Sequence, residues 1–305
     1  MGAGQLGARM KTLRTIAELR SLLSAPRRAG HTIGLVPTMG ALHEGHLSLI
    51  RQAAASCEVV VVTLFVNPTQ FDEPADLRAY PRDEAGDAGP AEAAGADLLF
   101  APAAAEIYPP GFATTISVDG REATSLEGES RGGEHFAGVA TVVTKLLNIA
   151  QPDVAYFGQK DAQQVAVIRR LVRDLDIPVR VEVGATVREA DGLALSSRNV
   201  RLRNGERECA TALPRALDAA RDAVARGERD GALITAAARG AMSAIGVEPE
   251  YLELVTPDSF IPVRRIGDEQ VLVAVAARVG DVRLIDNELL TVNGGSHTDT
   301  STGSP

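Results

Sequence analysis

The stretch that decides the fold reads Ile33-Gly34-Leu35-Val36-Pro37-Thr38-Met39-Gly40-Ala41-Leu42-His43-Glu44-Gly45-His46. It opens with an apolar run, and after His46 the apolar residues recur at helical spacing, so the pattern predicts a strand, a turn and a helix. Glycines let a ligand approach the turn, and free N–H groups at a helix start attract phosphate. A solvated surface turn is the alternative, but two histidines at this place, His43 and His46, favour phosphate binding.

A second buried strand follows at residues 59–66, which form a continuous and mostly β-branched run. Such a run predicts a strand covered on both faces, and strand, helix and strand together predict a parallel βαβ unit. Ligands bind at the carboxyl edge of such sheets, and the loop at residues 67–71 leaves that edge. Gln70 is therefore a candidate substrate contact, although an ordinary Asn-Pro turn is the alternative. Residues 72–82 are a candidate lid.

A second turn of the same layout reads Phe157-Gly158-Gln159-Lys160-Asp161 and precedes another helical pattern. A lysine at a helix start is unfavourable for the helix alone, because this end prefers anions. We therefore predict Lys160 as a phosphate ligand and Asp161 as a helix cap or a metal partner. The alternative is that Asp161 caps the helix while Lys160 points to solvent.

A third loop, Leu195-Ser196-Ser197-Arg198, offers two hydroxyl groups and a guanidinium in succession. These groups bind anions well, although the triplet alone is a weak signal. Together with the two turns it would surround a triphosphate.

The order of elements predicts an α/β fold, with a Rossmann-like parallel sheet and flanking helices plus a smaller C-terminal α+β domain. Strands are also predicted at residues 97–100, 114–118 and 179–183, whereas residues 121–133 form a polar connection. Beyond Arg203 the chain changes to alanine-rich helices, predicted at 206–226 and 232–245, and then to strand-like runs. The predicted regions are a nucleotide- and substrate-binding domain at 1–187, an α+β domain at 188–292 and a disordered tail at 293–305.

Composition narrows the class of protein. The 305 residues are 45% hydrophobic and 23% charged, as in soluble globular proteins, and the formal net charge of −9 argues against nucleic-acid binding. Between Lys160 and Arg203, nine basic residues stand against six acidic ones, which suits a small anionic substrate. Two cysteines, and no apolar run suited to a signal peptide or a membrane span, predict a cytoplasmic protein that binds no membrane.

The chemistry suggested by these loops is attack by the substrate itself on the α-phosphate of a nucleotide. No Gly-x-x-x-x-Gly-Lys-Ser/Thr motif is present, which disfavours P-loop phosphoryl transfer, and no catalytic triad is indicated. Catalysis would rest on positioning and on stabilising charge on the phosphoryl group and the leaving pyrophosphate. His46 would then act on phosphate charge and not as a base.

These residues carry a resemblance to a known family. The segment from His43 to His46 resembles the HxGH signature of the nucleotidylyltransferase and class I aminoacyl-tRNA synthetase superfamily. Five motifs in order and spacing, over residues 12–292, resemble the pantothenate synthetase family more closely. They are the stretch from Pro37 to His46, Phe65-Val66-Asn67-Pro68-Thr69-Gln70-Phe71, His135-Phe136-Ala137-Gly138-Val139, Phe157-Gly158-Gln159-Lys160-Asp161 with Gln164, and Ser196-Ser197-Arg198-Asn199.

The resemblance implies ATP-dependent condensation of pantoate with β-alanine to pantothenate, AMP and pyrophosphate, through a pantoyl adenylate, with Mg²⁺ and as a homodimer. It assigns no metal ligand. It implies that Gln70 and Gln164 bind substrate and that His46 is catalytic. Together with the residue patterns above, the predicted catalytic residues are His43, His46, Lys160 and Arg198. The implied ATP-binding residues are Met39, Gly40, Ala41, Leu42, His43, Glu44, Gly45, His46, Gly158, Gln159, Lys160, Asp161, Val187, Leu195, Ser196, Ser197 and Arg198.

Two positions depart from the family pattern, since Gln159 stands where glutamate is usual and Leu195 where methionine is frequent. The first departure questions any charge-based role for that side chain. The nearest rival function is a nucleotidylyltransferase, which would keep AMP on its product, whereas the ligase would release it. An aminoacyl-tRNA synthetase is disfavoured by chain length and charge. A non-catalytic nucleotide-binding protein is the remaining alternative.

Overall fold

A six-stranded parallel sheet dominates the computed structural model, which describes residues 9–71, 77–78, 80–203 and 205–292. Its order is β1-β4-β3-β2-β5-β6, and every neighbouring pair is parallel. The strands are β1 (Lys11–Leu13), β2 (Ile33–Thr38), β3 (Val59–Leu64), β4 (Leu98–Phe100), β5 (Val154–Gly158) and β6 (Arg180–Gly184). The predicted parallel α/β sheet is confirmed, and its strand order reverses between β2 and β5.

Helices cover both faces of this sheet, as the β3 sequence predicts. Val59 and Val61 pack into the core on one face, and Val60 and Val62 pack into the core on the other. Among the described residues, no helix has the length and apolarity needed to cross a membrane. The helices along the chain are α1 (Ile16–Arg28), α2 (Glu44–Ser56), α3 (Glu84–Ala93), α4 (Ala104–Ile107), α5 (Arg121–Thr124), α6 (Glu127–Arg131), α7 (Gly133–Ala150), α8 (Ala162–Asp174), α9 (Glu206–Ala210), α10 (Ala212–Ala225) and α11 (Gly231–Ser243).

The C-terminal region forms a separate three-stranded antiparallel sheet. Its strands are β7 (Pro249–Val255), β8 (Val271–Val279) and β9 (Val282–Leu290), in that order. Helices α10 and α11 share one core with this sheet, through residues such as Leu217, Ile234 and Val273. The predicted α+β pattern of this region is therefore confirmed.

The prediction of a single helix at residues 206–226 is wrong, because the structure has two helices there. Helix α9 ends at Ala210 and α10 begins at Ala212. Pro214 lies in the first turn of α10, where a backbone N–H has no helical partner to lose.

Other differences lie between β4 and α7. The strand predicted at residues 114–118 is absent, and the amide of Ile116 donates instead to Oγ1 of Thr141 on α7 at 2.9 Å. The polar connection predicted at 121–133 contains α5 and α6, which bury Glu122 and Glu127. Strand β1 was not predicted, because three residues carry too little periodicity. Residues 72–76 and 79 of the predicted lid, and the predicted tail at 293–305, lie outside the described residues.

A buried ion pair joins α6 to the C-terminal sheet. Arg283 of β9 donates through Nη1 and Nη2 to the carboxylate of Glu127, at 2.8 and 2.7 Å. The hydroxyl of Tyr251 donates to the same carboxylate at 2.8 Å. Burial opposes ionisation of Glu127, but Arg283 outweighs it, so the pKa of Glu127 is lowered. The ionised forms of Glu127 and Arg283 therefore stabilise each other.

We expect Arg283→Met to lower the free energy of unfolding by about 3 kcal/mol, because it leaves the Glu127 charge buried without its cation. Urea denaturation followed by circular dichroism measures the loss. Arg203→Met is the matched control, since Arg203 and Asp281 are 77% and 82% exposed and lie 3.4 Å apart. Such a surface pair contributes less than about 1 kcal/mol, and equal losses in both variants would contradict the expectation.

Candidate active site

The site lies in a crevice at the carboxyl edge of the parallel sheet, between β2 and β5. Ligands of open α/β sheets bind where the strand order reverses, because the loops there leave in opposite directions. The turn after β2, the loop after β3, the 3₁₀ turn Gln159–Asp161 after β5 and the loop after β6 all reach this crevice. Fourteen of the sequence-predicted residues line it: Met39, His43, Gly45, His46, Gln70, Gly158, Lys160, Asp161, Gln164, Val187, Leu195, Ser196, Ser197 and Arg198.

Five sequence-predicted residues do not line the crevice, namely Gly40, Ala41, Leu42, Glu44 and Gln159. The side chain of Glu44 pairs with Arg51 on the surface of α2. The side chain of Gln159 turns to β9. For these two residues the predicted ATP contact has no support from the side-chain position.

Asp87 of α3 holds the turn after β2. Its carboxylate accepts hydrogen bonds from the amides of Ala41 at 2.9 Å and Leu42 at 2.7 Å. Gly40 and Ala41 have φ values of +87° and +51°, a left-handed conformation that is unfavourable for Ala41. Asp87 thus stabilises a strained turn, and the amides of two residues that the resemblance assigns to ATP are already paired within the protein.

The two histidines lie against each other at the start of α2. Their ring centroids are 4.1 Å apart, and the backbone amide of His43 donates to Nδ1 of His46 at 3.3 Å. Since Nδ1 of His46 accepts, the proton of its neutral ring is assigned to Nε2. Gly45 is required here, because a Cβ at this residue would lie 2.9 Å from Cε1 of His43. Nδ1 of His43 is buried without a hydrogen-bond partner among the described residues.

Burial determines the charge of this pair. Desolvation and the neighbouring His43 lower the pKa of His46 to about 3. Desolvation and the ammonium of Lys160 lower the pKa of His43 as well. His46 is therefore a neutral hydrogen-bond donor at pH 7 in the free protein.

Lys160 and Asp161 occupy the turn after β5. The Lys160 side chain is only 19% exposed and its Nζ lies 3.6 Å from Oδ1 of Asp161, so the alternative in which Lys160 points to solvent is wrong. Asp161 is at the N-cap position of α8, as predicted, but its side chain makes no capping hydrogen bond. Desolvation opposes ionisation of Asp161, but Lys160 and Arg198 outweigh it and lower its pKa.

Asn67 is a crevice residue that the sequence interpretation missed. It is 1% exposed, and its Nδ2 donates to Oε1 of Gln70 at 3.0 Å and to the carbonyl of Gly138 at 3.1 Å. The Tyr108 hydroxyl donates to Oδ1 of Asn67 at 2.8 Å. These bonds orient the Gln70 amide so that its NH₂ group points away from Asn67, and its Nε2 donates to Sδ of Met39 at 3.0 Å. An asparagine directly after a buried strand was the available signal.

Close packing holds this loop against α7. A Cβ at Gly138 would lie 2.4 Å from the carbonyl oxygen of Thr69, so only glycine permits the approach. Nδ1 of His135, also on α7, lies 2.9 Å from the backbone oxygen of Gln70. The family-like segment at residues 135–139 therefore positions the loop that carries Gln70.

The carboxylates of the crevice bear on metal binding. Among the described residues, no three His, Cys, Asp or Glu side chains converge as a metal site would. Glu127 and Asp286 are both held by arginines through two hydrogen bonds. Asp161 is not held in this way. One protein carboxylate suits Mg²⁺, which commonly keeps water and phosphate oxygens as its other ligands.

The depressed pKa of His46 predicts a pH dependence of stability. Between about pH 6.5, the value for an unfolded histidine, and the folded value of about 3, the unfolded chain binds one more proton. Protonation of His46 in the unfolded chain therefore lowers the free energy of unfolding by up to about 1.4 kcal/mol per pH unit as the pH falls through this window. We expect His46→Gln to have a shallower slope in denaturation between pH 7 and 5.5. Gln164→Ala, without a titrating group, should keep the wild-type slope, and parallel slopes for all three proteins would contradict the assignment.

Comparison with known proteins agrees with this geometry. The family model described as Pantoate-beta-alanine ligase matches residues 11–289. A pantothenate synthetase from Cereibacter sphaeroides is 55% identical over 276 residues, which cover 90% of this chain and 98% of that relative. One from Agrobacterium fabrum is 50% identical over 282 residues, covering 92% of this chain and 96% of the relative.

Solved structures of two such enzymes also align with this chain. The crystal structure of pantothenate synthetase from Thermus thermophilus aligns with a TM-score of 0.87 at 46% identity, covering 93% of this chain and 99% of that one. Pantoate-beta-alanine ligase from Francisella tularensis, crystallised with beta-gamma ATP and beta-alanine, aligns with a TM-score of 0.73 at 34% identity, covering 94% and 99%. This chain therefore belongs to the pantoate–β-alanine ligase family.

Proposed function

We propose that this protein condenses pantoate with β-alanine, using ATP, and releases pantothenate, AMP and pyrophosphate. The observation that carries the proposal is the convergence, in one crevice, of a half-buried, neutral histidine pair with Lys160 and Arg198. The crevice also contains two glutamine amides suited to a small hydroxy acid. The Francisella relative, crystallised with beta-gamma ATP and beta-alanine, supports the same substrates.

In the first half-reaction a carboxylate oxygen of pantoate attacks the α-phosphorus of ATP. The bond between that phosphorus and the bridging oxygen breaks, and pyrophosphate leaves. A carboxylate has no proton to lose, so no general base is needed. Nε2–H of His46, with the cations Lys160 and Arg198, would stabilise the negative charge that accumulates on the phosphoryl oxygens and on pyrophosphate.

In the second half-reaction the amine of β-alanine attacks the acyl carbon of pantoyl adenylate. The C–O bond to AMP breaks, and the attacking nitrogen loses a proton as the amide forms. Gln70, oriented by Asn67, would donate its NH₂ group to a substrate oxygen, and Gln164 would complete the pantoate site. Neither glutamine adds charge, so an anionic substrate keeps its attraction to the nearby cations.

Three finer proposals accompany this function. Mg²⁺, bound with ATP, would neutralise phosphate charge, and Asp161 is the side chain that we propose to contact it, directly or through water. A homodimer and a cytoplasmic location follow from the family resemblance and the sequence, and both stay predictions.

We expect His46→Ala and Lys160→Ala each to lower pantoate-dependent ATP–pyrophosphate exchange by about 100-fold or more, the usual effect of losing one donor to developing charge. The matched controls are His31→Ala, at the opposite end of β2, and Lys11→Ala, exposed on β1. Thermal melting verifies that all four variants fold. Exchange near the wild-type rate in both crevice variants would overturn the site assignment.

Product analysis separates the ligase from a nucleotidylyltransferase. With ATP, pantoate and β-alanine together, we expect AMP and pantothenate to form in equal amounts over many turnovers. Without β-alanine, AMP-containing product should stop near one equivalent per active site, because the adenylate stays bound. Accumulation of a free adenylylated product, or no AMP with all three substrates, would contradict the ligase.

A further inference from the structure

Asn287 of β9 binds the turn that carries Lys160. It is 5% exposed, and its Nδ2 donates to the backbone oxygens of Gln159 at 3.0 Å and Lys160 at 2.8 Å. Its Oδ1 accepts a hydrogen bond from Nε2 of Gln159 at 3.0 Å. One side chain of the C-terminal sheet thus holds a turn of the parallel sheet at three points.

The preceding residue of the same strand binds the next phosphate-facing loop. Asp286 is 2% exposed and accepts hydrogen bonds from both terminal nitrogens of Arg188, at 2.6 and 3.1 Å. Arg188 also donates to the backbone oxygen of Gly192 at 3.0 Å, within the loop that leads to Ser196. Two consecutive residues of β9 therefore connect both loops to one rigid strand.

We propose that Asn287 is a positioning residue for the adenylation step, fixing the Gln159–Asp161 turn so that the Lys160 ammonium meets the phosphates. The inference rests on the proposed function. A three-residue 3₁₀ turn has few and poorly aligned internal hydrogen bonds, so its position is set by the groups that bind it from outside. Asp286 keeps the Ser-Ser-Arg loop in register with it, and the smaller sheet thereby aligns two phosphate-binding loops.

The geometry also assigns a function to Gln159, whose side chain does not line the crevice. Its NH₂ group is the donor that Oδ1 of Asn287 requires, and this leaves Nδ2 of Asn287 facing the two backbone oxygens. A side chain without a donor at residue 159 would leave Oδ1 unpaired in a buried place, which is costly. Gln159 therefore acts on Lys160 through Asn287.

The decisive variant is Asn287→Asp, which keeps the shape but places a carboxylate against two carbonyl oxygens. We expect pantoate-dependent ATP–pyrophosphate exchange to fall about 10- to 100-fold, since a misplacement of about 1 Å can cost that much. ATP affinity, measured by calorimetry, should fall with it, whereas pantoate affinity should not. Gln159→Leu should show a smaller loss of the same kind. Val273→Ala, in the core of the same sheet and away from the crevice, controls for a general loss of stability and should exchange normally.

A double-mutant cycle with Lys160→Ala separates positioning from simple destabilisation. If Asn287 acts through Lys160, then Asn287→Asp should weaken ATP binding less than about 3-fold when Lys160 is already alanine. Additive losses, a wild-type ATP affinity in Asn287→Asp, or an equal loss in Val273→Ala would each overturn the proposal. Absence of ATP binding to the wild-type protein would instead contradict the proposed function itself.

Discussion

The reversal of strand order between β2 and β5 is the constraint on which the rest of this structure depends. Because the chain leaves these neighbouring strands toward opposite sides of the sheet, their two following helices diverge and a crevice opens between them. The histidine turn and the lysine turn lie on its two sides for this reason alone. The loops after β3 and β6 then complete the walls, since those strands flank the central pair.

Burial gives the groups of this crevice different charges. Desolvation keeps His43 and His46 neutral, whereas Lys160 and Arg198 beside Asp161 lower the pKa of that carboxyl and keep it ionised. A neutral histidine donor can approach a phosphate that cations already attract, and it adds no repulsion between like charges. In the proposed function, the neutral donor and the cations therefore act together on the charge of the phosphoryl group.

The sequence was informative wherever function or burial left a local pattern. Neighbouring residues alone indicate the buried strand β3, the turn with glycines and histidines after β2, and the functional role predicted for the lysine at residue 160. The hydrogen bonds that position these groups could not be predicted, because the partners are distant in sequence. Asn287 binds the lysine turn, Asp87 binds the histidine turn and Arg283 binds the carboxylate of Glu127. The sequence predicts a polar connection at residues 121–133 for the same reason, since Glu127 is buried in the fold beside Arg283, which is distant in sequence.

The turn after β2 changes the interpretation of how phosphate is recognised. A glycine-containing turn before a helix predicts that backbone amides receive the phosphate, yet the amides of Ala41 and Leu42 are paired with Asp87. Left-handed backbone at Ala41 costs about 1–2 kcal/mol, and two charge-assisted hydrogen bonds are of the size needed to offset it. These two amides are therefore not free to bind phosphate, which places more of the proposed recognition on the side chains of the crevice. Side chains hold their positions only if their backbone does, and this is why the carboxylate of Asp87 and the amide of Asn287 bind the backbone of the two turns.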